Sequence, residues 1–279
     1  MLKITNVEAI QSNLLSAQAK LWVLDHLDYL NKPINLFGSS TKVEKGADKF
    51  DTYIMYLQPA DKVALATLCA FADAAGCKEP CLISSGQLGM STGQNAATKR
   101  TILMLLRPDF FKAKLLSEID KAERKALKTG IPALFRLNGT SDIDFSDIYR
   151  ARPESQFYDY SKELSRVRKN NLTNYDLTFS GSMYSTQSRA ALKKAVKSGY
   201  RIAVAFNTKN IASDTLQVSS SMASFDKTDL RHLDGNVIGS LTRKGSNKAD
   251  RATEDKNENS FFITTANLKQ FNNIIAIGG

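Results

Sequence analysis

Short apolar segments alternate with helix-like segments in the second half of the chain, and this alternation limits the fold more than any other feature. The strand-like segments lie at 133–137, 157–160, 175–179, 201–206 and 236–241. Between two of them, the segment 186–199 has apolar residues every three or four positions and ends at Gly199. Strands that alternate with helices are joined by right-handed crossovers. The sequence therefore predicts an α/β fold with a mainly parallel sheet, in the form of a full or partial (β/α) barrel, with an open sheet as the alternative.

The N-terminal half adds helices and two more strands. Apolar residues at helical spacing predict a helix close to the N-terminus. Two apolar runs, at 34–37 and 52–57, are bounded by turn residues and predict strands. The segment from Pro108 to Gly130 begins and ends with the residue types that start and stop a long helix.

Composition indicates a soluble globular protein. Hydrophobic residues make up 42% of the chain, enough for a packed interior, and no run approaches the roughly 18 apolar residues of a membrane-spanning helix. The N-terminus lacks the compact apolar stretch of a secretory signal, which predicts a cytoplasmic protein with no membrane partner. We expect a single domain over residues 1–279, with a helical extension at 1–50 and a flexible loop at 243–260, where apolar residues are almost absent. No pattern in the sequence predicts the oligomeric state.

The chain carries a formal net charge of +10, which favours contact with a polyanion such as nucleic acid. The basic residues are nevertheless spread along the whole length, mostly at positions that face solvent on predicted helices. Ordinary solvated helix surface is therefore an alternative to a nucleic-acid groove, and the sequence leaves both open.

Polar residues follow the predicted strands at the ends where α/β barrels place their chemistry. The candidate catalytic residues are Asp142, Asp159 and Lys162, because a buried carboxyl can act as acid or base and a lysine can hold an anionic substrate. The candidate substrate-binding residues at the same strand ends are Asn138, Ser141, Ser180 and Lys244. Each alone is also compatible with an ordinary polar turn. Together they predict a pocket for a small-molecule or nucleotide substrate.

The three cysteines, Cys69, Cys77 and Cys81, lie in one short segment. An odd number of cysteines in a cytoplasmic protein argues against disulfide pairing, and thiolates close together bind iron–sulfur clusters or zinc. The spacing Cys-x7-Cys-x3-Cys differs from the paired CxxC motifs of most zinc sites. We therefore expect the three cysteines to bind a 4Fe–4S cluster, with zinc as the alternative. Inert, buried thiols are a third explanation.

Three thiolates leave one iron of a 4Fe–4S cluster open to a small molecule or to another ligand. The radical S-adenosylmethionine enzymes combine such an open iron with a partial α/β barrel, which makes S-adenosylmethionine a candidate cofactor. Their usual signature is Cys-x3-Cys-x2-Cys, and this sequence departs from it.

Several motifs resemble those of a family of uncharacterised bacteriophage proteins. The most specific is the block Arg136-Leu137-Asn138-Gly139-Thr140-Ser141-Asp142. Looser matches are the order of the three cysteines and the Gly86 to Gly89 loop, the segments 157–162 and 177–180, the stretch from Asp229 and Arg231 to Asp234, and Lys244-Gly245. The resemblance implies a phage-encoded protein of the bacterial cytoplasm with a cysteine site at a barrel mouth. It also adds Asp229 and Arg231 to the candidate substrate-binding residues.

Two classes of function follow from these observations. The first is a phage-encoded iron–sulfur enzyme, similar to radical S-adenosylmethionine enzymes, whose substrate the sequence does not define. The second is a zinc-stabilised nucleic-acid-binding or host-takeover protein without catalysis. Steep salt dependence of nucleic-acid binding would distinguish the second class from the first.

Overall fold

The computed structural model describes residues 3–38, 49–218, 222–244 and 248–278 of the chain. The helices within these residues are α1 (Asn6–Gln11), α2 (Ala17–Asn31), α3 (Ala72–Ala75), α4 (Ser91–Leu106), α5 (Pro108–Thr129), α6 (Ser146–Ala151), α7 (Leu164–Lys169), α8 (Thr186–Lys197), α9 (Lys209–Val218), α10 (Lys248–Glu254) and α11 (Leu268–Ile275). The strands are β1 (Phe37–Gly38), β2 (Asp51–Met55), β3 (Ala133–Arg136), β4 (Gln156–Ser161), β5 (Tyr175–Ser180), β6 (Ile202–Phe206), β7 (Met222–Ser224) and β8 (Ile238–Thr242). None of these helices combines the length and the apolar character that a membrane crossing requires.

The strands of the described residues form one open sheet in the order β1-β2-β3-β4-β5-β6-β8-β7. Strand β1 is antiparallel to β2, whereas β2 with β3, β3 with β4, β5 with β6, β6 with β8 and β7 with β8 are parallel. The predicted α/β fold with a mainly parallel sheet is therefore confirmed. The barrel is not, because the outer side of β2 is occupied by β1 and that of β8 by β7, which leaves β1 and β7 as edges.

The chain divides into two compact units. Among the described residues, unit 1 contains 3–38, 49–70 and 81–157, and unit 2 contains 71–80 and the described residues from 158 onwards. The boundary falls inside β4.

Aromatic side chains fill much of the core of unit 1. The ring of Phe135 lies 5.5 Å from the rings of both Tyr53 and Phe157, and Phe157 lies 4.9 Å from Tyr149. These residues come from β2, β3, β4 and α6, so ring packing joins three strands to a helix. Offset and tilted aromatic pairs at these distances are favourable.

Helix α5 shows how sequence punctuation determines local structure. Pro108 is its first residue, where the missing N–H has no helical partner to lose. Gly130 follows the last residue with a φ of 73°, a left-handed conformation that glycine adopts without strain. The predicted helix is confirmed at both ends.

The segment 243–260, predicted to be a flexible loop, contains helix α10 instead of an irregular chain throughout. The low apolar content concealed this helix, which contacts the end of β6 through the backbone carbonyl group of Arg251, as described below. Residues 245–247 of that prediction lie outside the described residues. The predicted extension at 1–50 contains α1 and α2 together with β1, and its residues 39–48 are likewise outside the described residues.

An ion pair joins α1 to the junction of α4 and α5. Arg107 donates to both carboxylate oxygens of Glu8, from Nη2 at 2.8 Å. This hydrogen bond lowers the pKa of Glu8, although burial acts in the opposite direction.

We expect this ion pair to make the free energy of unfolding depend on pH in the acidic range. A carboxyl group whose pKa is lowered in the folded chain contributes stability above its unfolded pKa, and that stability is lost as the pH falls through the folded value. In Arg107→Gln, the loss of unfolding free energy between about pH 6 and pH 3 should therefore be smaller, by less than about 1 kcal/mol because the pair is partly exposed. Urea titrations across this range measure the effect, with the exposed Arg150→Gln as control. Identical pH profiles for Arg107→Gln and the wild type would contradict it.

Candidate functional site

A cavity of about 190 Å³ opens at the carboxyl ends of β4 and β5 in unit 2. Its walls come from the residues that follow these two strands, from the first turn of α8 and from the short helix α3. The polar lining residues are Lys162, Glu163, Ser165, Ser180, Ser182, Gln187 and Ser188, and the apolar ones are Phe71, Ala74, Ala75, Leu164, Phe179 and Ala191. A concave site with apolar walls and a few convergent polar groups has the usual form of a small-molecule pocket.

Lys162 brings a positive charge to this cavity. It directly follows β4, and its ammonium group donates to the hydroxyl of Ser180 at 2.7 Å and to the carbonyl oxygen of Ser180 at 3.2 Å. The same ammonium lies 4.3 Å from the centre of the Phe261 ring, within the range of a cation–π contact. These contacts fix the charged group at the ends of β4 and β5, although the side chain is only half-buried.

Three serine hydroxyls hold α3 against the loop between β5 and α8. Ser182 donates to the carbonyl oxygen of Ala75, and Ser185 and Ser188 each donate to that of Ala74, all at 2.7 Å. Ser185 also caps α8, because its hydroxyl accepts from the N–H of Ser188 at 3.1 Å. Helix α3 has only four residues, so most of its carbonyl groups need partners from outside the helix. The serines supply these partners and thereby fix one wall of the cavity.

Gly76 ends α3 in a left-handed conformation with a φ of 68°. A Cβ atom at this position would lie 2.3 Å from ring atoms of Tyr184, far inside normal contact. Both the backbone conformation and the ring therefore require glycine here. Cys77 comes next, and its N–H completes the end of α3 by donating to the carbonyl oxygen of Ala72 at 3.0 Å.

Asn207, at the carboxyl end of β6, ties the segment around α10 to the sheet. This fully buried side chain donates from Nδ2 to the carbonyl oxygen of Arg251 at 2.8 Å and to Asp255 at 3.3 Å. Its Oδ1 accepts from Nη1 of Arg243 at 3.1 Å. Burial raises the pKa of Asp255, but hydrogen bonds from Thr265 and Asn207 outweigh burial and lower it overall. Arg243 and Asp255 thus make structural contacts with Asn207.

The candidate residues of the Arg136 to Asp142 block form a tight turn after β3 in unit 1. The side chain of Asn138 accepts from the Ser141 hydroxyl at 2.8 Å and from the N–H of Ile143 at 2.9 Å, and donates to the carbonyl oxygen of Ile143 at 2.9 Å. Asp142 donates its own N–H to the carbonyl oxygen of Leu68 at 2.9 Å. Asn138 and Ser141 are both buried and hold the shape of the turn.

Asp229 and Arg231 form a buried polar cluster in unit 2, outside the lining of the cavity. Asp229 accepts hydrogen bonds from the hydroxyls of Tyr158 and Tyr160, at 2.9 Å and 3.0 Å. Arg231 is 1% exposed, and its guanidinium lies 3.8 Å from the centre of the Phe225 ring. The structure therefore buries both candidate residues in unit 2, each with its own partners, and places neither in the lining of the cavity.

The other two candidate residues of unit 2 also lie outside the cavity lining. Asp159 is fully buried within β4, and Lys244 is exposed and pairs with Asp226 at 3.5 Å. Of the nine predicted catalytic and substrate-binding residues, Lys162 and Ser180 are the two that the cavity brings into contact.

The three cysteines form no disulfide bond with one another and are half-buried. Cys69 and Cys81 belong to unit 1 and Cys77 to unit 2, and the thiol of Cys69 donates to the carbonyl oxygen of Thr140 at 3.8 Å. Over the described ranges, no three His, Cys, Asp or Glu side chains are grouped so that they could hold a metal ion. This arrangement does not fit a ready ligand set for a cluster or for zinc. The 4Fe–4S cluster, zinc and S-adenosylmethionine stay predictions from the sequence, and no step below depends on them.

Several cavity residues were not predicted from the sequence, among them Ser182, Gln187, Ser188 and the whole of α3. One signal was present: Ser185 has the residue type and position of a helix cap, which places the first turn of α8 next to the end of β5. Nothing in the sequence marks α3, because it is short and its partners are far away along the chain.

Fold and cavity together define an α/β protein with a small pocket, apolar with a few polar groups, at the carboxyl ends of strands in a mainly parallel sheet. The chain belongs to the gene product 88 family, whose model matches residues 33–258. This match confirms the predicted membership of a bacteriophage protein family, and it gives no support to a relation with radical S-adenosylmethionine enzymes. Comparison with curated proteins and with solved structures gave no match.

Proposed function

We propose that the protein binds a small ligand with an apolar body and an anionic group in the cavity of unit 2, and that Lys162 holds the anion. The observation that carries this proposal is the position of the Lys162 ammonium, which lines the cavity and is held by Ser180. A cation that is fixed before the ligand arrives reduces the entropy lost on binding.

The remaining lining supports the same kind of ligand. Gln187 and Ser188 lie in the first turn of α8, at the end of a helix that carries partial positive charge. Glu163 brings an opposing charge to the same lining, and the hydrogen bond that its carboxylate accepts from Ser165 does not remove that charge. The volume of about 190 Å³ is below the usual range for drug-sized ligands and favours a small molecule.

We expect Lys162→Met to weaken anion binding at least about tenfold, because the substitution keeps most of the side-chain volume and removes the charge. The probe is phenyl phosphate, whose affinity is measured by calorimetry or by ligand-observed NMR, with neutral phenol for comparison. Lys197→Met is the matched control, since Lys197 is an exposed residue in the last turn of α8. Equal affinities of the wild type and Lys162→Met for phenyl phosphate would disprove the proposal.

The iron–sulfur enzyme and the zinc-stabilised nucleic-acid-binding protein are tested separately from this cavity. Iron, zinc and sulfide are measured in protein purified without oxygen, beside a Cys77→Ser variant. Iron and sulfide that are lost in the variant would support the enzyme, whereas zinc alone would support the second class. Protein without either metal would contradict both.

A further inference from the structure

A second cavity, of about 120 Å³, adjoins the first in unit 2. The two share Leu164 and Ser165 as lining residues. The second is completed by Arg168, Lys194 and Tyr200. Arg168 belongs to α7 and Lys194 to α8, so two helices each bring one cation to the same small space.

These two cations differ from many other basic residues of the chain. Lys112 pairs with Asp147, Arg152 with Asp120 and Arg201 with Asp176, for example. Neither Arg168 nor Lys194 forms a side-chain hydrogen bond or an ion pair with another described residue. The residues that line this cavity include no carboxylate. Both side chains are exposed, so solvent and salt screen their charges, but two cations on one small cavity without a carboxylate still favour an anion between them.

We propose that the second cavity is a subsite for a second anionic group, so that the ligand is a phosphate ester with two anionic groups. This inference rests on the proposed function, because Lys162 holds the first group. The planar guanidinium of Arg168 can bind two phosphate oxygens at once, and Lys194 adds a compact charge. Phosphate esters of this kind occur as free nucleotides and as the repeating unit of a nucleic-acid strand.

The shared wall supports one ligand that spans both cavities. Leu164 gives the wall an apolar surface on which a sugar or base can lie, and Ser165 belongs to the lining of both sides. Tyr200 adds a ring to the second cavity, and aromatic rings are common partners of nucleobases. A nucleoside 3′,5′-bisphosphate combines the face of a base and sugar with anionic groups at two ends, which matches cations on both sides of an apolar wall.

The experiment compares thymidine 5′-monophosphate with thymidine 3′,5′-bisphosphate by calorimetry. We expect the wild type to bind the bisphosphate about tenfold more tightly. The variant Arg168→Gln/Lys194→Gln should lose this gain and keep its affinity for the monophosphate within about twofold. The control Lys193→Gln/Lys197→Gln removes the same total charge from positions that are likewise exposed but lie outside both cavities, and should keep the gain.

Each outcome decides. The subsite is overturned if the wild type binds the two nucleotides with equal affinity, or if the control variant loses the gain to the same extent. The proposed function still stands in either case, provided that Lys162→Met weakens the binding of phenyl phosphate. Binding of phenyl phosphate without binding of either nucleotide would likewise overturn the subsite and leave the proposed function standing. If the wild type binds none of the three probes, the inference fails together with the proposed function. A thymidine octanucleotide distinguishes the two sources: stronger, salt-sensitive binding than the bisphosphate supports a strand as ligand, and weaker binding supports a free nucleotide.

Discussion

Gly76→Ala should lower the free energy of unfolding by about 3 kcal/mol, because two separate costs combine at this position. The left-handed φ of 68° strains any residue that has a Cβ, by about 1–2 kcal/mol. The added methyl group would also lie 2.3 Å from the ring of Tyr184, so the ring must leave its place against α3. Since α3 is a wall of the cavity, the affinity for phenyl phosphate should fall as well.

Gly199→Ala is the matched control for this prediction. Gly199 has nearly the same φ, 66°, but no neighbouring atom lies within 4 Å of the position of a Cβ. Gly199→Ala should therefore lower the free energy of unfolding only by the backbone strain of about 1–2 kcal/mol, and it should leave the affinity for phenyl phosphate unchanged. In a Tyr184→Ala background, Gly76→Ala should cost no more than Gly199→Ala, as measured by urea unfolding in a double-mutant cycle. A cost for Gly76→Ala equal to that for Gly199→Ala in the wild-type background would refute the contact with Tyr184.

Asn207→Leu should also destabilise the protein by about 3 kcal/mol, because it removes three hydrogen bonds of a fully buried side chain at nearly constant volume. Two of these bonds hold Arg251 and Asp255, which lie in α10 and directly after it. Amide hydrogen exchange should therefore become faster in α10 than in α8, where no contact is lost. The pKa of Asp255 should rise, since one of the hydrogen bonds that lower it is gone.

Asn257→Leu makes the same chemical change at an exposed position of the same segment and should cost less than about 1 kcal/mol. Urea unfolding gives the free energies, and hydrogen exchange with mass spectrometry locates the change. If exchange in α10 were as slow in Asn207→Leu as in Asn257→Leu, Asn207 would not be what holds this segment.

The sequence predicted the interior of the sheet better than its edges. Strands β3 and β6 are nearly continuous apolar runs, which is what burial between helices requires, whereas β4 and β5 are apolar runs that each include an aspartate. Strand β1 has two residues and shares only Phe37 with the strand predicted at 34–37, and β7 has three residues in a segment where no strand was predicted. These two short strands occupy the edges of the sheet. The choice between a barrel and an open sheet therefore depended on the strands that are hardest to predict from the sequence.

The sequence predicted the candidate site correctly only where a polar residue at a strand end points into the cavity and does not bond to its own turn. Lys162 and Ser180 follow neighbouring strands, and their contact comes directly from the parallel sheet. Asn138 and Ser141 follow a strand in the same way, yet their side chains bond to their own turn. Polar residues at a strand end satisfy backbone groups as readily as they bind ligands, so residue type alone could not separate these two cases.

The hydroxyl contacts of α3 have a consequence for the order of events during protein synthesis. The serines that hold α3 follow their partners by between 107 and 114 residues in the chain. Helix α3 therefore leaves the ribosome long before Ser182 and Ser188 exist, and four residues alone cannot stay helical in water. The wall of the cavity can close only after the chain has grown past α8. A nascent chain stalled before that point would carry Cys77 beside an unfolded segment, open to thiol reagents.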